Sequence, residues 1–277
     1  MLEMFDLSFM VYAFLACLVM GMLLSYLGIH VVGRGIVFVD LALGQISSLG
    51  VALTDVLHYG ETWLPIIFTL LGAVLLSFIR IRDHRLKLEA VIGLIYAVTS
   101  AITVLIISKT PHGEADIQEV LFGTLLAVTG EQLVYLMIVF AVLGILHWLF
   151  RKPMYAITEK MNAGKAGHLS RKEQGWNFFF YLSIGLAIVF AVRIGGVLPV
   201  FTFLVVPAVS AILLARRRGW VVIFALLCAL LCSYWGLWLS FSYDFPAGPS
   251  VVTMFGVAFA LAALYRVIRP MLPLKTP

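Results

Sequence analysis

The sequence predicts an all-α, polytopic transmembrane bundle of about nine spans, some of them broken. Three observations predict it. Of 277 residues, 62% are hydrophobic and 12% charged, and the mean hydropathy is +1.07; soluble domains hold roughly 45–50% apolar residues. Apolar runs of about 18–22 residues recur along the chain, close to the length a helix needs to cross a hydrocarbon core of about 30 Å. Basic residues gather in alternate connections between these runs.

The opening stretch, MLEMFDLSF, is acidic where a signal peptide would be basic, and no A-x-A-like cleavage site follows it. It therefore reads as a retained first span, over 7–28. Further spans are expected at 36–57, 63–80, 90–107, 133–150, 176–193, 195–215, 220–241 and 251–268. Two of these are irregular. The run 36–57 contains the polar string VDLALGQISSLG, and 195–215 contains Pro199 and Pro207, each of which removes a backbone donor and tends to kink or break a helix. Broken helices are tolerated at membrane depth only where protein or a polar cavity meets the freed backbone groups.

Charge orients the bundle. Arg34, the cluster Arg80, Arg82, Arg85 and Lys87, the basic loop at 151–175, the triplet Arg216 to Arg218 and the tail Arg266, Arg269 and Lys275 share one side; Lys109 and Arg193 take the other. The positive-inside tendency makes the first side cytoplasmic, with the N-terminus outside and the C-terminus inside. Glu61, Glu114, Asp116, Glu119 and Asp244 make the opposite face acidic, which raises the local cation concentration, although ordinary solvated loops look the same. The net charge of +5 is thus a topology signal and needs no nucleic-acid partner. The loop RKPMYAITEKMNAGKAGHLSRKEQG has room for a short helix lying on the cytoplasmic face.

Missing motifs narrow the function. H-E-x-x-H, G-x-S-x-G and zinc-binding Cys/His spacings are absent, which leaves a membrane protease or hydrolase without machinery. The Gly-Lys pair in NAGKAG is no phosphate loop, because Glu159 stands where its first glycine belongs and Ala166 follows the lysine. ATP, if it is used, is hydrolysed on another polypeptide. Cys17, Cys228 and Cys232 all lie in apolar spans and read as buried thiols.

The polar string carries the chemistry. An ionised aspartate at bilayer depth costs about 2.5–3.5 kcal/mol on insertion scales, so Asp40 is a candidate functional residue. On a continuous helix Asp40, Gly44 and Ser47 share one face. A break near Gly44 or Gly50 would release carbonyls and let Gln45 turn toward Asp40. The alternative is close helix packing, with Asp40 paired to Arg34 near the interface. Two further stretches are LEAVIGLIYAVTSA at 88–101, a packing helix beginning at Glu89, and the Gly/Pro-rich outer turn SYDFPAGPSVV at 242–252.

In this order the features resemble the membrane permeases of ABC importers for zinc, manganese and iron. GRGIVFVDLALGQISSLGVAL occupies the place of the family's GDALSHAALPG string, and LEAVIG that of its DAAIG. LFGTLLAVTGEQL at 121–133, FAVRIGGVLPVFTFLVVPAVSAILLA at 190–215 and YDFPAGPSVV follow in family order. The resemblance covers nearly the whole chain. It implies one permease domain over 1–277, a cytoplasmic ABC ATPase, an extracytoplasmic metal-binding protein, and a second permease copy or paralogue in a bacterial inner membrane. It also implies no permanently bound cofactor: a divalent metal ion is the cargo, and ATP is held by the partner. In the 151–175 loop, Glu159, Ala163 and Gly164 are the nearest equivalents of the family's ATPase-docking residues. One departure matters. Aligned on Gly50-Val51-Ala52, the family histidine falls on Gln45 and its aspartate on Leu41, one place from Asp40. Asp40 and Gln45 are the expected ion-path residues; a glutamine oxygen is a harder donor than imidazole and suits manganese better than zinc. The runner-up function is an ion- or proton-coupled secondary transporter with Asp40 as its titrating carboxylate.

Overall fold

The structure is a computed structural model that describes residues 3–60, 62–79, 87–109, 113–163 and 169–268. Glu61, Arg80, Arg82, Arg85, His84, His112, Gly164, Lys165, His168, Arg269 and Lys275 lie outside these. Eleven α-helices are present among the described residues: α1 (Ser8–Arg34), α2 (Val39–Leu57), α3 (Trp63–Phe78), α4 (Leu88–Ile107), α5 (Gly113–Phe122), α6 (Gly130–Leu149), α7 (Arg151–Asn162), α8 (Arg171–Gly195), α9 (Val197–Leu214), α10 (Arg218–Tyr243) and α11 (Ala247–Ile268). Nine of them coincide with the expected spans. Seven are long and apolar enough to cross a bilayer, and the apolar stretches Val39–Thr54 and Trp63–Phe78 are shorter.

Local chemistry sets the ends. Gly35, in the left-handed region at φ 66°, stops α1; its N–H reaches Val32 O at 3.1 Å and that of Ile36 reaches Val31 O at 3.3 Å. The chain then reverses within residues 35–38 into α2. Glu89, in the first turn of α4, accepts the Val37 N–H at 3.1 Å and pins this turn, which gives the LEAVIG stretch a structural task. Capping boxes open α6 (Thr129 with Gln132) and α8 (Ser170 with Glu173). Asp244, at φ 56°, ends α10 in the Gly/Pro-rich turn before α11.

Helices α1, α9, α10 and α11 pack as one group, and α2, α3, α4 and α8 as another; the consecutive α8 and α9 join them. α8 and α9 are also the most enclosed spans: 67% and 61% of their most apolar windows are buried, against 17% in α11. Most buried hydroxyls turn back onto their own helix, as Thr69 does to Pro65 O (2.7 Å), Thr202 to Leu198 O (2.8 Å) and Ser233 to Ala229 O (2.7 Å). This back-bonding hides a polar group without needing a partner helix.

Three expectations are corrected. α2 is a continuous helix through Gly44 and Gly50, so no break releases carbonyls there. The later break falls at Gly195 and Gly196 and not at the prolines: Pro199 sits in the first turn of α9, where no helical bond is lost, and α9 runs on through Pro207. Residues 113–122, taken as loop, form α5.

At Gly28 the backbones of α1 and α9 touch, and a Cβ there would collide with the Leu204 carbonyl. Gly28→Val is expected to destabilise the fold by about 3 kcal/mol or more, whereas Gly93→Ala, with nothing within 4 Å of the new methyl, is expected to be neutral or slightly stabilising. Thermal unfolding in detergent separates the two; equal behaviour would refute the α1–α9 contact.

Candidate functional site

The polar string forms one distinct face. Asp40, Gly44 and Ser47 lie four and three residues apart on α2 and therefore share a side. Both Asp40 carboxylate oxygens and the Ser47 hydroxyl are buried without a hydrogen-bond partner among the described residues. Ser48, on the neighbouring side, is satisfied by Gly44 O at 3.0 Å. At Gly44 this face abuts the Val197 and Val192 side chains, with a Cβ position 3.4 and 3.5 Å from them. It is thus turned toward the α8–α9 turn. Buried polar groups in native proteins are normally paired, so an unpaired carboxylate and, two turns or about 10.5 Å further along the same face, an unpaired hydroxyl mark a face along which a cation would gain oxygen ligands.

Asp40 and Gln45 are each 2% exposed. Five residues apart on an unbroken helix, they diverge by about 140°, and no hydrogen bond joins them. The expected alternative, an Asp40–Arg34 pair, is absent. Arg34 is turned away at the end of α1, donating from Nε to Thr158 Oγ1 (3.2 Å) and from Nη1 to Asn177 Oδ1 (2.9 Å), with its Cζ 3.7 Å from the Phe180 ring centroid.

Glycines hold the turn that faces this string. Gly196, at φ 75°, adopts a conformation that side chains rarely take. A Cβ on Gly196 would meet the Gly123 backbone, one on Gly123 the Gly195 backbone, and one on Gly248 the Phe122 carbonyl. The Thr124 N–H reaches across to Ile194 O at 3.2 Å. The end of α5, the α8–α9 turn and the start of α11 therefore touch backbone to backbone. Three stretches far apart in sequence, LFGTLL, RIGGVLP and FPAGPS, meet at one point.

A second assembly lies at the other end of α1. Helix α7 turns Met154, Ile157 and Thr158 inward and leaves Lys152, Ala156, Glu159 and Ala163 exposed along one outer stripe. Thr158 Oγ1 is shared: besides Arg34 it meets His30 Nδ1 at 2.9 Å. His147, at the end of α6, bonds Leu143 O (3.0 Å) and Ser183 Oγ (3.2 Å). Tyr26 lies edge-on to both imidazoles, which are fully buried. Glu159 pairs with Arg218, and Lys160 with Glu173 at 2.8 Å, tying α7 to the starts of α10 and α8. Among the described residues no group of three or more His, Cys, Asp or Glu side chains converges as a resident metal site. Cys228 and Cys232 are 3.9 Å apart and stay free thiols, as does Cys17.

Residues 6–266 match the ABC 3 transport family. The chain belongs to that family. It is 26% identical over 255 residues to the "High-affinity zinc uptake system membrane protein ZnuB" of Haemophilus influenzae, covering 92% of this chain and 96% of the relative. A "Probable metal transport system membrane protein" of Chlamydia muridarum is 25% identical over 199 residues, 70% of this chain, and the match spans 65% of the relative's own length. Among solved structures, "PsaBC from Streptococcus pneumoniae in complex with Fab" superposes with a TM-score of 0.80 at 22% identity, covering 98% of this chain and 99% of that one, a likeness of fold. The chain is therefore a multi-pass membrane protein of the ABC 3 transport family.

Of the residues singled out in the sequence, Asp40 and Gln45 lie on α2, Glu159 lies on α7 and Ala163 caps the end of α7; the Arg34 assembly was not foreseen. The available signal was the His30/Arg34 spacing of four, which puts an imidazole and a guanidinium on one helix face; Arg34 was counted as a topology charge and, in the alternative, as the partner of Asp40. Thr158→Val keeps the shape of the side chain and leaves His30 and Arg34 without their common partner. It is expected to cost about 1–3 kcal/mol and to raise amide exchange in α7 first. Thr253→Val, at an exposed hydroxyl, is expected to stay within about 0.5 kcal/mol. Hydrogen exchange that rises evenly along the chain would refute the local role.

Proposed function

We propose that this chain is the single-domain permease, over residues 1–277, of an ATP-driven importer for a divalent transition metal ion, zinc, manganese or iron, in a bacterial inner membrane. The observation that carries the proposal is the buried, unpartnered Asp40 carboxylate on a continuous polar face set against a glycine-built turn. In this reading an extracytoplasmic binding protein delivers the ion to the outer end of the bundle, with the N-terminus outside and the C-terminus inside. The ion passes the Asp40, Gly44 and Ser47 face. Gln45 points to another side of α2 and takes part from there, either toward a second permease copy or after the helices move. Oxygen donors of this kind bind weakly enough to release an ion.

Energy enters at α7. Its outer stripe offers Glu159 and Ala163, with Gly164 following, to a cytoplasmic ATPase, while its inner face is bolted to α1 and α8 through Thr158 and Arg34. A push on α7 therefore reaches α1 and α8 directly. Seating of this kind suits alternating access driven by ATP on the partner.

In proteoliposomes holding the permease with its ATPase, Asp40→Ala is expected to lower ATP-dependent uptake at least about tenfold, the loss of one ligand worth roughly 1.4 kcal/mol. Gln45→His is expected to shift selectivity toward zinc when zinc, manganese and iron are measured separately. Uptake that persists without the ATPase, or that stops when a proton gradient is collapsed with ATP present, would replace this reading with a secondary transporter built on Asp40. Unchanged uptake of every metal in both variants would remove α2 from the path.

A further inference from the structure

A groove of about 850 Å³ runs along the outside of the bundle between α1, α6 and α10 and ends against α7. Val19, Met22, Phe140, Ile145, Val222 and Leu226 line its length. Two glycines keep it open: Gly144 and Gly219 both line it, and a Cβ on either would meet nothing within 4 Å. From Met137 to Trp148 the α6 wall rises about 16 Å, about half of a hydrocarbon core roughly 30 Å thick. The groove is one leaflet deep.

Its α7 end is polar and basic. Arg151 lines the mouth and has no carboxylate partner among the described residues, its Cζ lying 5.4 Å from the ring centroid of the exposed Trp148. Tyr155 lines the same end beneath Arg218, whose Cζ is 5.5 Å from its ring centroid. The Tyr155 phenol, with an ordinary pKa of about 10, is un-ionised at neutral pH and carries an O–H donor. An apolar slot one leaflet deep, closed by an unpaired guanidinium and a phenol beside an interfacial tryptophan, has the polarity of a phospholipid.

We propose that this groove binds one anionic glycerophospholipid, with an acyl chain along Gly144 and the phosphate on Arg151. Basic pockets between transmembrane helices recognise anionic headgroups in this way. The bound lipid contacts α1, α6, α7 and α10 together, and it touches α7 beside the stripe that bears Glu159. The site does not depend on the transport reading and survives its failure.

The test is native mass spectrometry of the purified full-length protein after equilibration in nanodiscs with equal parts phosphatidylcholine and phosphatidylglycerol. Wild type is expected to retain one phosphatidylglycerol in preference to phosphatidylcholine. Arg151→Gln is expected to lower that preference about fivefold while lipid is still retained. Gly144→Phe, which fills the slot from a position with open space, is expected to abolish retention with helicity and melting unchanged; Gly144→Leu serves if the larger ring perturbs folding. Equal retention of the two lipids by wild type overturns the proposal, as does full preference in Arg151→Gln. A Gly144→Phe variant that keeps its lipid but dissociates from a dimer to monomers overturns it too, and assigns the groove to a second copy of the chain.

Discussion

The contact on which the rest of this molecule depends is the backbone meeting at the α8–α9 turn. Residues 194–197 are buried, so the N–H and C=O groups of this turn must find protein partners. Gly195 and Gly196 allow the end of α5 to approach until the Thr124 N–H reaches Ile194 O, and Gly248 brings the start of α11 against Phe122. A side chain at any of these positions would hold the backbones apart. Because the turn is closed this way, α8 and α9 run through the middle of the bundle, and α2 rests its polar face on a fixed surface.

The bundle treats its polar groups unevenly: most are satisfied within the fold, and a few are not. Thr69, Thr202 and Ser233 are silenced by their own helices. Arg34 is buried with a full set of neighbours: a threonine, an asparagine, a methionine sulfur and an aromatic face. Its charge is spread over polar partners, and the result is a rigid joint between α1, α7 and α8. Asp40, six residues later, receives nothing comparable. The backbone N–H groups of Asp40 itself and Leu41 act on its carboxylate electrostatically without a well-formed hydrogen bond. The fold satisfies the Arg34 charge and leaves the Asp40 carboxylate without a partner, and that contrast is why the proposed ion path runs past Asp40 and not Arg34.

Much of the bundle was legible in advance because hydropathy is a local property. Each long apolar run specifies a helix regardless of what it packs against, which is why nine expected spans coincide with nine helices. Gly35 and the capping boxes at Thr129 and Ser170 are local too. Failures came where an outcome depends on a neighbour. Gly44 and Gly50 suggested a break, yet packing against α3, α4 and α8 holds α2 helical through both. Pro199 and Pro207 suggested another, but a proline in a first turn forfeits no bond, and the two glycines before it break the chain instead. Helix α5 was invisible because its ten residues are short and only partly apolar.

The sequence by itself determined that this chain is a multi-span helical membrane protein: hydrophobic run length acts through the bilayer, a solvent every segment meets independently. It also pointed to Asp40, since a carboxylate in such a run is costly wherever it faces. Only the tertiary structure decided that Asp40 and Gln45 look in different directions, that Arg34 belongs to α7 and not to Asp40, and that LFG, IGG and AGP form one contact. Those facts depend on which helix lies against which, and on close backbone approach between residues as far apart in sequence as Gly123 and Gly196 or Phe122 and Gly248.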